Sequence, residues 1–387
     1  MKRILVAACS FSILAVCFQN CSSGFVASGV PMSQDIGSTG TARMTTSMIL
    51  VGGENFISSY SLNHQTDQVS FLKRTSVTGQ PGWLAFDSVS STVLAPDANG
   101  TALNQVQLSL ADGSMKVQKV FDFLSRSVHL LLSRHDGILS LYGSSYSDQK
   151  YAAFDFNADQ TQITKRHEFE YSPGAHTHSS SMDAKSRLMF VANKDEDRVV
   201  ILSSANDQLA EVGEISIADP RIVAFDAEFK RLYVVTEADA GQSRLQSFEI
   251  TRSSGTVTVL PGASFMMGAR GSGLAIDHVN GYIVASVREA GKEGLWALPV
   301  TAAGLFDATR ATKFIPVKGI EARSLDITAD GKYYIVTCND SKNAEDLFVY
   351  KISYDSTHQI TSTDLVQSIN VGEGGFLSQL VLTQNPL

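Results

Sequence analysis

One segment, Pro220 to Glu237, recurs along the chain, and this repetition constrains the fold more than any other feature. Gly271 to Arg288 aligns with it without a gap 51 residues on, and Ala322 to Asn339 a further 51 residues on. Thr177 to Lys194 matches 43 residues earlier. Each copy reads as an apolar run, a short polar turn and a second apolar run rich in Val, Ile, Leu, Tyr and Phe, the pattern of a β-hairpin. Weaker copies begin near Gly82, with Trp83-Leu84-Ala85-Phe86-Asp87, and near Ser127, with a turn at His135-Asp136-Gly137. Further strand-like runs follow each hairpin, such as Val199 to Leu202, Leu245 to Ile250 and Leu347 to Ile352. Four strands in a period of 43 to 53 residues is the signature of a propeller blade.

The seventh blade is divided between the two ends of the pattern. Phe376 to Thr383 is an inner strand without a hairpin mate, while Met48 to Gly52 and Phe56 to Leu62 lack an inner partner. Joined, they complete a closed seven-bladed ring over residues 47–387 and leave no long sheet edge open for aggregation. Six blades with an extra hairpin is the alternative. No stretch carries sustained helical spacing with caps, so the class is all-β. Cys338 is the one cysteine in this body, which excludes a disulfide framework and a paired-cysteine metal site. Stability must come from burial, and 43% hydrophobic residues supply the material.

The first residues read as an address. Lys2 and Arg3 precede an apolar run from Ile4 to Val16, too short for the roughly 20 residues a membrane-spanning helix needs. The run ends in Leu14-Ala15-Val16-Cys17 and resembles a bacterial lipoprotein signal peptide, with residues 1–16 removed and Cys17, or else Cys21, carrying the lipid. Plain secretion after cleavage nearby is the alternative; either way the chain is exported. Residues 17–46, rich in Ser, Gly and Thr, then form a flexible tether. The membrane contact this implies runs through the lipid anchor alone, in the bacterial cell envelope.

A formal net charge of −8 argues against nucleic acid as a partner. Any anion site must be local, and the hairpins indicate where. The residue that starts the first strand and the residue that leaves the second lie at the same end, so inner hairpins bring both to one mouth of the channel. Arg221 and Glu237 form such a pair; Arg288 leaves the next hairpin, and Arg323 and His178 hold the Arg221 position in their own units. With His176 they would ring that mouth as a site for a small anionic ligand. The same charges also fit an ion pair that orients a hairpin, with histidines packed in the channel. His176 and His178 lack an evident third partner for a metal, and no motif for a cofactor, a serine nucleophile or a phosphate loop is present. The Asp136-Gly137 and Asp330-Gly331 pairs read as turns.

Over Met48 to the C-terminus, and most clearly from Gly174, the sequence resembles the lactonase-family seven-bladed propellers of the 6-phosphogluconolactonase type. Ala175-His176-Thr177-His178 is similar to that family's His-x-His, Pro220-Arg221 to its Pro-Arg, Thr236-Glu237 to its Asn-Glu and Val287-Arg288 to its Asn-Arg or Asp-Arg. Related propellers acting on muconate lactones use a histidine, two arginines and a glutamate. The resemblance carries those roles onto His176 or His178, Arg221, Arg288 and Glu237 and extends to His129 as a further family histidine; Arg323, from its hairpin position, joins His129 as an expected substrate contact, and no cofactor is expected. Three positions depart from the pattern: Ala95-Pro96-Asp97, Leu141-Tyr142-Gly143 and Ala192-Asn193. Two functions are compatible with such a mouth, a lactone hydrolase of the envelope and a noncatalytic propeller that binds a ligand or protein there.

Overall fold

The computed structural model describes residues 45–384 apart from 205–207, 229, 240, 254–255, 340–344 and 373–377. The signal peptide, Cys17, Cys21 and the tether up to residue 44 lie outside the described residues. Within them the chain forms seven four-stranded antiparallel sheets. Blade 1 runs from the inside outward as Ser378–Gln384, Thr46–Gly53, Phe56–Asn63 and Gln68–Ser76. Blades 2 to 7 follow in chain order, with inner strands Ala85–Asp87, Ser127–His135, Thr177–Asp183, Pro220–Asp226, Gly271–Asp277 and Ala322–Ile327.

Ring closure follows the sequence expectation, and the six-blade alternative is excluded. Ser378 pairs with Gly52 and Gln384 with Thr46, so the C-terminal strand is the inner strand of the blade that the N-terminal strands complete. It begins at Ser378, two residues later than Phe376, which lies outside the described residues. A second connection joins blade 1 to blade 7. Ser47 Oγ lies 2.9 Å from His64 Nε2, and His64 Nδ1 lies 3.0 Å from Asp330 Oδ2 in the blade 7 hairpin turn. Lys351 bonds Asp67 at 2.7 Å across the same seam.

The core lies between blades. Leu50, Ile57, Leu84, Val93 and Val106 pack blade 1 on blade 2, and Val199, Ile201, Val223, Leu232 and Val234 pack blade 4 on blade 5. Each blade therefore shields two neighbours, and the alternating apolar residues of both sheet faces are satisfied only by a closed ring.

Two local devices shape the mouth. A residue in the left-handed region precedes the inner strand of five blades: Arg126, His176, Asp219, Arg270 and Glu321, with φ between 47° and 56°. The register then slips by a bulge at the next positions, between Pro220 and Ile222, Ala322 and Ser324, and Thr177 and Ser180. A bulge leaves a residue out of the ladder and turns its side chain away from the sheet face. Arg221, Arg323 and His178 occupy those bulged positions.

Candidate functional site at the channel mouth

Arg221 and Arg288 converge on one carboxylate. Glu237 leaves the second strand of blade 5, which places it beside Arg221 at the start of that blade; Arg221 Nη1 lies 2.7 Å from Glu237 Oε2. Arg288 leaves the second strand of blade 6 and its Nη2 bonds Glu237 Oε1. This reach across the blade boundary needs close backbones. Gly271 meets the Thr236 carbonyl so closely that a Cβ there would sit 2.4 Å from it, which explains the glycine. Serine hydroxyls fix the inner strands: Ser179 Oγ donates to the Arg221 carbonyl at 2.8 Å, and Ser272 Oγ to the Arg323 carbonyl at 3.0 Å.

The charged residues are interior groups. Arg221 is 0% exposed, Arg288 and Arg323 1%, and Glu237 8%. Burial pushes the Glu237 carboxyl up, but Arg221 and Arg288 together outweigh it and hold the group well below its usual range, ionised. Burial, then the charge of Arg221, draws Arg288 down; a guanidinium touching an ionised carboxylate nevertheless keeps its proton. Lys194 adds a third cation 3.4 Å from Glu237 Oε2. A second cluster adjoins the first: Glu321 bonds Arg323 and lies 3.1 Å from Arg270. Burial draws Arg323 down to about 10.

The histidines divide into three environments. His178 is fully buried, and desolvation followed by the charge of Arg221 drives it well below its ordinary value, so it is neutral at pH 7. His176 is half-buried and its Nδ1 bonds Asp195 Oδ2. The backbone holds that pair together, with Asp195 N donating to the Ala175 carbonyl at 3.2 Å. His129 stands apart: it packs on Trp83 at 4.0 Å between ring centroids and lies 3.3 Å from Ser180 Oγ. Burial alone lowers it to about 3, with no charged neighbour contributing.

Lys194, Asp195, Arg270, Glu321 and an aromatic residue, Tyr146, escaped the sequence reading. The Tyr146 ring stacks on His176 at 4.4 Å and meets His178 edge-on at 5.5 Å. Its hydroxyl is pushed up to about 12 by burial and then by the charges of Glu237 and Asp195. The repeat placed this blade's exit at Leu141-Tyr142-Gly143, but its second strand runs on to Ser145. Tyr142 stays in the blade, with its hydroxyl accepting from Arg166 at 3.1 Å, and Tyr146 takes the position that Glu237 and Arg288 hold in blades 5 and 6. The same rule yields Lys194 from blade 4, where the second strand ends at Asn193.

The sequence profile described as lactonase, 7-bladed beta-propeller, matches residues 40–377. The chain belongs to this family. Among solved structures, a protein from Bacteroides fragilis described as a putative 6-phosphogluconolactonase is similar at 14% identity and a TM-score of 0.70, over 89% of this chain and all of that one. A Pseudomonas aeruginosa protein described as a periplasmic gluconolactonase has 16% identity and a TM-score of 0.70, over 88% of this chain and 100% of that one. A putative 6-phosphogluconolactonase from Bacteroides uniformis has 17% identity and a TM-score of 0.68, over 86% and 99% of the two chains. At these identities the likeness is one of fold. No curated protein sequence matches the chain. In this family member the second blade exit reads Asp97, whose carboxylate accepts from Gln80 N and Asn99 N at 2.9 Å, serving its own loop.

Proposed function

We propose that the protein is an exported lactone hydrolase that opens a lactone of a sugar or organic acid at this mouth, tethered to the envelope through Cys17 or Cys21. The observation that carries the reading is the pair His176–Asp195 stacked on Tyr146 beside a buried cluster of guanidiniums. Hydrolysis needs a base for water and positive or hydrogen-bonding groups where the carbonyl oxygen gains charge. With Nδ1 engaged by Asp195, His176 keeps Nε2 as its basic nitrogen, the arrangement that holds an imidazole in one tautomer.

In this reading His176 takes a proton from water as the water oxygen bonds the lactone carbonyl carbon. The oxyanion forms near the Tyr146 hydroxyl and the cations at the mouth. The ring C–O bond then breaks and the departing alkoxide recovers the proton from His176, leaving a hydroxy acid. Glu237 is a poor base because two guanidiniums hold its carboxyl well below the usual range. Its role is to position Arg221 and Arg288, and buried, neutral His178 supports Tyr146. Lys2-Arg3, the short apolar run and Cys17 motivate the export and anchor, and the similarity to a protein described as a periplasmic gluconolactonase agrees with them.

Turnover of a panel of aldonolactones and carboxylated lactones, followed by proton release, tests the activity. Parent turnover that falls by about 100-fold or more in His176→Gln supports it. No turnover of any lactone favours the noncatalytic binding propeller instead.

A further inference from the structure

Each inner hairpin turns back at the end of the channel opposite the mouth, and there side chains latch neighbouring blades. Arg134 Nε of blade 3 donates to Asp87 Oδ1 of blade 2 at 2.9 Å, His278 Nε2 of blade 6 lies 2.9 Å from Asp226 Oδ2 of blade 5, and the Tyr334 hydroxyl of blade 7 donates to Asp277 Oδ2 of blade 6 at 3.3 Å. His64 and Asp330 close the seam of blades 7 and 1 in the same way. The acceptor in blades 2, 5 and 6 is the aspartate that ends the inner strand. Counted from the start of the inner strand, the place of Asp226 and Asp277 is taken in blade 3 by Ser133, and the place of His278 is taken in blade 4 by Ala184. Neither carries a charge. The seam of blades 3 and 4 opens at this end into a cleft of about 780 Å³.

Blade 3 lines the cleft with a polar row across its strands. Ser140 and Asp155 oppose each other in register, and Ser140 Oγ donates to Asp155 Oδ1 at 2.7 Å. A bulge leaves Arg166 out of the ladder on the next strand; its Nε lies 3.6 Å from Asp155 Oδ2 and its Nη2 donates to the Tyr142 hydroxyl at 3.1 Å. The blade 4 turn supplies Lys185 and Arg187. Arg187 has a left-handed φ of 54°, and its carbonyl accepts from Ser204 N at 2.9 Å and Ser204 Oγ at 3.2 Å, which fixes that lip. Asp183 serves its own turn, accepting from Lys185 N at 3.1 Å and from Ser186 Oγ. Among the described residues the lining thus holds Arg134, Arg166, Lys185 and Arg187 against Asp136 and Asp155, and Arg134 is matched by Asp87 outside it. The volume is that of a small-molecule site, but hydroxyls and charges outnumber the apolar Tyr142 and Met182, which suits a hydroxylated ligand better than an apolar one. Asp155 repels a bare anion yet accepts from a ligand hydroxyl, while Lys185 and Arg187 suit a carboxylate. We infer that this cleft binds a small carboxylated carbohydrate, its hydroxyls toward Asp155 and its carboxylate on the blade 4 lip. The site is separate from the mouth and does not depend on lactone turnover.

Calorimetric titration of the whole protein with glucuronate and trigalacturonate tests this, with maltotriose as the uncharged counterpart and acetate as the bare carboxylate. Saturable binding of at least one of the two sugar acids, at least tenfold tighter than of maltotriose or acetate, is the expected result, and added salt should weaken it. Arg187→Met should weaken it at least tenfold; Lys185→Met, on the exposed part of the turn, should weaken it measurably and serves as the test if Arg187→Met does not fold. His176→Gln at the mouth should leave it unchanged. The inference is overturned by no saturable binding of either sugar acid, by maltotriose or acetate binding as tightly, by binding that survives the substitutions on the blade 4 lip, or by binding lost in His176→Gln, which would place the ligand at the mouth. Lactone turnover by the same preparation bears on the hydrolase reading alone.

Discussion

Replacing Glu237 by Gln removes the carboxylate that two fully buried guanidiniums share while keeping the side chain's shape. Arg221 at 2.7 Å and Arg288 would both lose their counter-charge, and Lys194 its partner at 3.4 Å. Breaking a buried pair in this way costs about 3–5 kcal/mol, since the remaining charge stays away from water. At about 2 °C per kcal/mol for a domain of this size, the melting temperature should fall by roughly 6–10 °C at pH 7 in HEPES. Arg221→Ala is expected to cost less, because Arg288 and Lys194 still hold Glu237. The pH dependence provides an independent check. The folded-state pKa of Glu237 is depressed, so its contribution is complete above the unfolded value near 4.5 and is lost as pH falls toward the folded one. The gap between parent and Glu237→Gln should therefore be constant from pH 5 to 8 and shrink in acid. Calorimetric scans across that range measure it. A loss under about 1 kcal/mol at pH 7, or a gap that widens in acid, would refute the buried-clamp reading.

Tyr146→Phe should lower lactone turnover by about tenfold or more while leaving the melting temperature within about 2 °C, since the ring stacking survives; unchanged turnover removes its hydroxyl from the chemistry. Buried neutral histidines make the fold acid-sensitive: with His129 lowered to about 3, each pH unit below 6.5 should cost about 1.4 kcal/mol through that residue, and His129→Gln should remove that slope. Deleting Ser378 onward takes away the inner strand of blade 1, and the whole ring should melt lower with broader cooperativity; a truncated protein that melts like the parent contradicts closure by that strand. Mass spectrometry of the mature N-terminus should find a lipid on Cys17 or Cys21, and an unmodified terminus beyond Cys21 leaves only secretion.

The fold was legible because its information is local and repeated. A hairpin that recurs 51 residues apart fixes strand, turn and strand in each unit, and only a ring gives every unit two neighbours. Arg221, Glu237 and Arg288 were legible for the same reason, since hairpin geometry alone puts the first and last residues of a unit at one end. The bulges were not, because they depend on how neighbouring inner strands crowd at the axis. Without them the Arg221, Arg323 and His178 positions follow from alignment, but their turn out of the ladder does not. His129 shows the consequence: one residue past the bulged position in blade 3, it joins the packing against Trp83 and Ser180. Tyr146 was missed for a simpler reason, since the weak copy in blade 3 aligns imprecisely and its second strand is longer than the repeat suggests.

The sites the mouth can offer are unequal around the ring, and this limits where a ligand can sit. Blades 4, 5, 6 and 7 supply Lys194, Arg221, Arg288 and Arg323, whereas the equivalent bulged position of blade 3 is Val128 and the exit of blade 2 is Asp97. On the blade 2 side the Asp97 carboxylate is engaged by Gln80 N and Asn99 N and offers an anion no donor. Displaced toward blades 5 and 6, a negatively charged ligand meets the guanidiniums close to His176 and Tyr146, where cations, an imidazole paired to a carboxylate, and a phenol are neighbours. The proposed hydrolysis therefore calls for binding on the side of blades 4 to 7, with the reacting carbonyl near His176 and Arg288.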